Sequence, residues 1–165
     1  MKNISYLILG LLILSGCANS NQRASENVAL IKKYINAVEA KDYGTMEAML
    51  AEGYEGFGPS VDDSTNRDAA LQAWKYNVEN LYESIVYEKS RNIAVTVTEG
   101  DNQGDWVSNW ALLSISYKDG RGPVKLLTNT TYQIANGKIL KSYTFYNEAD
   151  ALEQLGYVFI NPQDL

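Results

Sequence analysis

The 165 residues carry 14 basic and 20 acidic side chains and no histidine, for a formal charge of −6. That acidic balance argues against nucleic acid as a partner and against polybasic docking on anionic lipid. The missing imidazole removes the commonest general base and the commonest catalytic metal ligand together, and the single cysteine, Cys17, rules out an internal disulfide or a cysteine-built metal cluster.

Lys2 precedes an uncharged apolar run, Ile4 to Leu14, and Leu14-Ser15-Gly16-Cys17 follows. A charged start, a short apolar core and small residues before a cut are the parts of a secretory signal, and the run is shorter than the ~20 residues of a membrane span. The last four residues resemble the lipobox of bacterial lipoproteins. The resemblance implies a signal peptide over 1–16, cleavage before Cys17 and a diacylglycerol on its thiol. The mature protein would then sit in the cell envelope, joined to a membrane through that lipid. Ala18 stands where inner-membrane retention in enteric bacteria is associated with aspartate, so in a Gram-negative source the periplasmic side of the outer membrane is favoured. The leader holds one base, Lys2, and no acid, so its loss takes the charge to −7. The polar stretch Ala18 to Ala24 reads with Cys17 as a tether over 17–24, and 25–165 as one domain with its own core.

Ser25 is placed to cap a helix over 26–40, with Val28, Ile31, Ile35 and Val38 at helical spacing. Asp42 can cap a second, shorter helix carrying Met46, Met49 and Leu50, with Gly53 as its stop. Tyr54 to Phe57 reads as a short extended piece ended by Gly58-Pro59, and 60–64 as a loop. Thr65 and Asp68 resemble a capping box ahead of the stripe Leu71, Trp74, Val78, Leu81 and Ile85, which predicts a third helix. From Tyr87 the period becomes two, with Ile93, Val95 and Val97 alternating with polar residues. Strands are expected over 105–117, 123–135 and 138–146, the last two joined by Asn136-Gly137, the preferred pair for a type I′ hairpin. Asn147 can cap a terminal helix ending at Leu155, with Gly156 as its stop. Helices grouped ahead of an antiparallel meander indicate an α+β fold, with helices packed across one face of a curved sheet.

Pairing across Asn136-Gly137 sets Tyr132 opposite Lys141, Thr130 opposite Tyr143 and Thr128 opposite Phe145, and opposed residues share a face. Tyr132, Thr130, Tyr143 and Phe145 are thereby expected on the concave, more apolar face. A regular preceding hairpin would add Trp106, Trp110 and Leu112; a one-residue bulge would reverse that last assignment.

The order of elements resembles the SnoaL-like branch of the nuclear transport factor 2-like superfamily over roughly residues 26–157. The likeness rests on Tyr34-Ile-Asn-Ala-Val-Glu-Ala-Lys-Asp42, on Tyr54 to Pro59, on Asn136-Gly137-Lys138-Ile139, and on Tyr143 through Gln154-Leu155-Gly156. It implies a cone with a pocket at its open end, often dimeric through the outer sheet face. Fold does not fix function, so the catalytic positions matter. Tyr34 falls where ketosteroid isomerase, a member of that superfamily, carries an oxyanion-stabilising tyrosine, though its plainer reading is a core aromatic facing the sheet. The aspartate that should precede Pro59 is absent, Gly58 standing there, and a hydroxyl without a base cannot abstract a proton. The cyclases resembling SnoaL place an acid where Asn147 stands, and an amide supplies no proton at neutral pH.

Other clusters carry less. Asp62-Asp63 and the pair Asp101 and Asp105 read as solvated turns, since calcium wants six or more oxygens. Asn129-Thr130-Thr131 matches a glycosylation acceptor by chance in a threonine-rich strand. Trp74 and Trp110 are a ligand-stacking pair or helix-on-sheet packing. Three readings follow. The first is a tethered module binding a small, largely apolar ligand through Tyr34, Tyr54, Trp74, Trp110, Tyr132 and Tyr143, with Thr130 and Asn147 as polar contacts, and with no cofactor or metal implied. The second is a lyase or isomerase acting on a cyclic carbonyl compound, which needs an inward carboxylate such as Glu55 or Asp62. The third is an interaction module, a homodimer or a partner of another envelope protein, using the outer sheet face.

Overall fold

The computed structural model describes residues 2–161 and 163, with side chains from residue 20 onward. The leader and the thiol of Cys17 therefore lie outside the described side chains. Helix α1 spans Lys2–Glu39 and α2 Tyr43–Met49; they are followed by β1 (Leu50–Phe57), β2 (Ser64–Asn66) and α3 (Arg67–Asn80). The meander is β3 (Tyr82–Val97), β4 (Gly104–Tyr117), β5 (Val124–Ala135) and β6 (Lys138–Phe145), and α4 (Glu148–Gln154) closes the chain. One six-stranded sheet has the order β2-β1-β6-β5-β4-β3, antiparallel throughout except for the parallel β1–β6 pair. The α+β expectation holds: helices cover one face of a mostly antiparallel sheet.

Apolar spacing explains why α1 docks. Ile31, Ile35 and Val38, with Tyr34 between them, are buried against Val107, Tyr132, Ile134 and Ile139 of the sheet. The helix does not begin at Ser25. Ser25 lies within it, its hydroxyl donating to the Asn21 carbonyl one turn back. The described residues of the expected tether are helical as well, and Arg23 is docked on Asp105 at 2.9 Å.

Several local boundaries shift for identifiable reasons. Asp42 caps α2 by accepting from the Thr45 amide, as its position suggests. Gly53, however, lies inside β1 and does not stop the helix. The cap of α3 is Asn66, which accepts from the Ala69 amide; Thr65 is already in β2. The third helix ends at Asn80, and Ile85 belongs to β3, where it is buried. The apolar stripe overran because inward positions of the next strand continue its spacing. Asn147 caps α4 through the Asp150 amide, and Asn136 and Gly137 both have positive φ, as a type I′ turn requires.

Strand facing departs most from expectation. Ile134 pairs with Ile139, but the next pair up is Gln133 with Lys141. Leu140 is therefore an extra residue on β6, and beyond it Tyr132 opposes Ser142 and Thr131 opposes Tyr143. Because side chains alternate with period two, this bulge puts Tyr143 and Phe145 on the outer face. The β4–β5 register sets Trp106, Trp110 and Leu112 opposite Gln133, Asn129 and Leu127, again on the outer face. A further bulge in β3 between Glu88 and Arg91, with Lys89 at positive φ, turns Ile93 and Val95 outward. Buried Asn109 fills this bulge, its amide donating to Ser90 Oγ at 2.8 Å and Asn92 Oδ1 at 3.1 Å. A buried amide with partners on both hydrogens costs little, which makes the bulge a stable feature.

Candidate functional site

The inner face of the sheet, α3 and α4 enclose a partly open cavity of about 420 Å³. Helix α3 contributes Ala70, Ala73, Trp74 and Asn77. The carboxy-terminal half of β4 and the start of β3 supply Leu113, Ile115 and Tyr117 with Tyr82, Ile85 and Tyr87. Leu126, Thr144 and Tyr146 complete the sheet side, and Gly58, Pro59 and Ala151 the rim. Ala70 and Ala73 on α3 leave space between the helix and the sheet, and aromatic residues from several strands wall it.

Helix α4 is held over this end by Gln154. Its side-chain amide accepts from the Lys125 N–H at 2.9 Å and donates to the Lys125 carbonyl at 3.0 Å, so it pairs with the edge of β5 as a strand would. The aromatic wall is built edge to face: Trp74 meets Tyr82 at 6.1 Å and Tyr82 meets Tyr117 at 5.6 Å between ring centroids, both near perpendicular. Such pairs add roughly 0.5–1.5 kcal/mol beyond their buried area.

Of the eight residues expected to bind ligand, Trp74 lines the cavity. Tyr34, Tyr54 and Tyr132 lie in the core on which that wall packs. Tyr34 meets Tyr132 edge-on at 6.0 Å, and the Tyr54 hydroxyl shares a hydrogen bond of 2.7 Å with Ser142. The Thr130 hydroxyl lies 3.3 Å from that of Thr144, which does line the cavity. Asn147 is exposed and occupied as a helix cap. Trp110 and Tyr143 are on the opposite side of the sheet, where Tyr143 stacks on Phe57 at 4.9 Å. Trp74 and Trp110 therefore form no pair. The sequence reading missed Tyr82, Tyr87, Tyr117 and Tyr146; the 12 tyrosines were the signal, but these four come from three separate stretches of chain, the start of β3, the end of β4 and the residue after β6.

The lining contains no Asp, Glu, Lys or Arg. Glu55 is exposed and ion-paired with Lys141 at 3.3 Å. Asp62 is exposed in the loop, where its neighbour Asp63 accepts from the Ser60 amide. Among the described residues no group of three acidic or thiol side chains could hold a metal ion. The tyrosines of the wall are held protonated. Burial pushes Tyr82 up to about 12, with Tyr117 and Tyr146 adding to it. Burial also raises Tyr87, helped by Tyr34 and Glu39, and raises Tyr117 and Tyr146. At neutral pH they are uncharged hydroxyls, able to donate and accept hydrogen bonds.

No protein-family model matches the sequence, and no curated protein does. Solved structures do match. A proposed polyketide cyclase from Xanthomonas campestris aligns with a TM-score of 0.64 at 15% identity, over 80% of this chain and 98% of that one. The proposed polyketide cyclase IdmH from Streptomyces antibioticus aligns at 0.61 and 16% identity, over 79% and 98%. A nuclear transport factor 2-like protein from Burkholderia xenovorans aligns at 0.59 and 16% identity, over 80% and 97%. At these identities the likeness is one of fold.

Proposed function

On the nuclear transport factor 2-like cone that this chain adopts, we propose that the cavity takes up a small, neutral, largely apolar molecule without chemistry, and that lipid on Cys17 holds the protein in the cell envelope. The lining carries the binding reading. Trp74, Tyr82, Tyr87, Tyr117 and Tyr146 surround a space of about 420 Å³ with no ionisable carboxylate or amine among the lining residues. That volume suits small-molecule sites, which run from roughly 300 to 1,000 Å³. A charged ligand would shed its hydration there without an opposite charge to meet it. Proton abstraction would need a base, and raised tyrosine pKa values make the wall hydroxyls poor ones. The lyase or isomerase alternative lacks its carboxylate in this cavity. The anchor reading rests on the lipobox resemblance at Leu14 to Cys17.

A pair of dyes tests the binding. N-phenyl-1-naphthylamine, which is neutral, is expected to bind with enhanced fluorescence, and its sulfonated relative 1-anilinonaphthalene-8-sulfonate to bind at least ~10-fold more weakly, as an unpaired charge in an apolar site requires. Ala70→Phe, which fills the space, should abolish the signal with circular dichroism unchanged, and Trp110→Ala should leave it intact. Tighter binding of the sulfonate would contradict the neutral-ligand reading.

A second reading concerns the outer face. Trp110, Phe145 and Leu127 are 48%, 55% and 81% exposed, with Ile93 and Val95 beside them. Exposed large apolar side chains gathered on one face mark interaction sites, and we propose that this face pairs two copies of the chain. Light scattering on the chain from residue 17 onward should give twice the monomer mass, reduced to monomer by Leu127→Asp with Trp110→Asp. A monomer at micromolar concentration would count against it.

A further inference from the structure

The described part of α1 determines which end of the domain lies near the anchor. Arg23 reaches Asp105, and Asp105 pairs with Thr96 near the carboxy-terminal end of β3. At the other end of the helix, Glu39 accepts from the Tyr87 N–H at 2.7 Å, and just past it Lys41 Nζ donates to the Glu83 carbonyl at 2.8 Å. Helix α1 therefore runs antiparallel to β3, with its carboxy-terminal end at the strand start. That start supplies Tyr82, Ile85 and Tyr87 to the cavity. At 1.5 Å per residue, Arg23 and Glu39 are about 24 Å apart along the axis. The helix cannot swing, because Ile31, Tyr34, Ile35 and Val38 are buried beneath it. Cys17 is three residues from Ser20, a reach of about 10 Å at most. A lipid carried on Cys17 would thereby be confined to the end of the domain remote from the cavity.

We infer that the domain stands on its membrane with the cavity at the distal end, and that its ligand is a molecule free in the aqueous phase and not a lipid resident in the bilayer. The inference deepens the binding reading and rests on lipidation of Cys17. The charge of −7 left after loss of the leader keeps the flank of the domain off an anionic surface. Arg23, the first base after Cys17, is engaged with Asp105. One feature opposes it. Tyr157 to Ile160 form an exposed apolar run just past α4, the helix whose Ala151 lines the cavity. Insertion of that run would turn the cavity toward the bilayer.

Energy transfer separates the two orientations. The full-length lipidated protein is reconstituted in phosphatidylcholine–phosphatidylglycerol vesicles that carry a headgroup-linked acceptor. A donor dye is placed on Gln22→Cys or on Val61→Cys, both exposed, Val61 lying in the loop that follows rim residues Gly58 and Pro59. The Gln22 label is expected to transfer several-fold more efficiently than the Val61 label. Equal or greater transfer from Val61, in protein that sediments with vesicles, overturns the orientation and leaves the anchor standing. Failure of the protein to sediment with vesicles, or sedimentation of Cys17→Ser equal to that of the lipidated form, overturns the anchor and the inference with it.

Discussion

Raising the pH above 10 is expected to unfold the domain cooperatively. Seven tyrosines of the core and the cavity wall, Tyr34, Tyr54, Tyr82, Tyr87, Tyr117, Tyr132 and Tyr146, have pKa values raised chiefly by burial. A phenol whose folded pKa exceeds its unfolded value of 10 keeps its proton in the native state after the unfolded chain has lost it. Its contribution is complete below pH 10 and is lost as the pH rises toward the folded value. For Tyr82, held up to about 12, the loss across that window is about 3 kcal/mol. Two or three such groups exhaust the roughly 5–15 kcal/mol of an ordinary domain. The groups also couple: Tyr132 and Tyr54 raise Tyr34, and Tyr34 raises Tyr87, so the first ionisation makes the next costlier in the native state. Far-ultraviolet dichroism and tyrosinate absorbance, followed together, should report one shared transition for these seven. Smooth ionisation with the dichroism unchanged would mean the cluster is open to water.

Much of this architecture could be read from local chemistry. The α1 stripe, the caps at Asp42 and Asn147 and the Asn136-Gly137 turn each depend on a few neighbouring residues, and each is where the residues place it. Facing across the sheet could not be read so directly. It depends on the parity of the register, and single extra residues at Leu140 and in the bulge between Glu88 and Arg91 reverse everything beyond them. Neither bulge has a glycine to mark it. Tyr143 thus changed faces while Tyr132, its expected neighbour, stayed. The candidate site suffered for a related reason. Tyr82, Tyr87, Tyr117 and Tyr146 converge only through the ends of several strands, so no spacing in the chain brings them together. The helical residues of the expected tether were missed because polar composition does not distinguish a solvated helix from a flexible linker; docking of Arg23 decides it.

The Gly58→Ala substitution should be the most damaging single-methyl change at the rim. Gly58 has φ +91°, a conformation that L side chains rarely adopt, and a residue forced there loses roughly 1–2 kcal/mol. Its added Cβ would also stand 2.2 Å from the Thr144 carbonyl oxygen. That oxygen is backbone within β6, beside the pair Phe57–Tyr143 that joins β1 to β6, so no rotamer relieves the overlap. Either the rim must move out or the two strands must part. The combined cost is expected to be about 3 kcal/mol or more, read as a lower urea midpoint. Gly53→Ala, in the same strand but with nothing within 4 Å of its new Cβ, should be neutral or stabilising by up to about 1 kcal/mol through the unfolded chain. Since Gly58, Pro59 and Thr144 all line the cavity, the neutral dye should bind more weakly to the Gly58→Ala protein even at temperatures where it remains folded. Equal midpoints for the two alanine variants would mean that the β1–β6 junction yields at no cost, and the rim would then be no fixed part of the cavity.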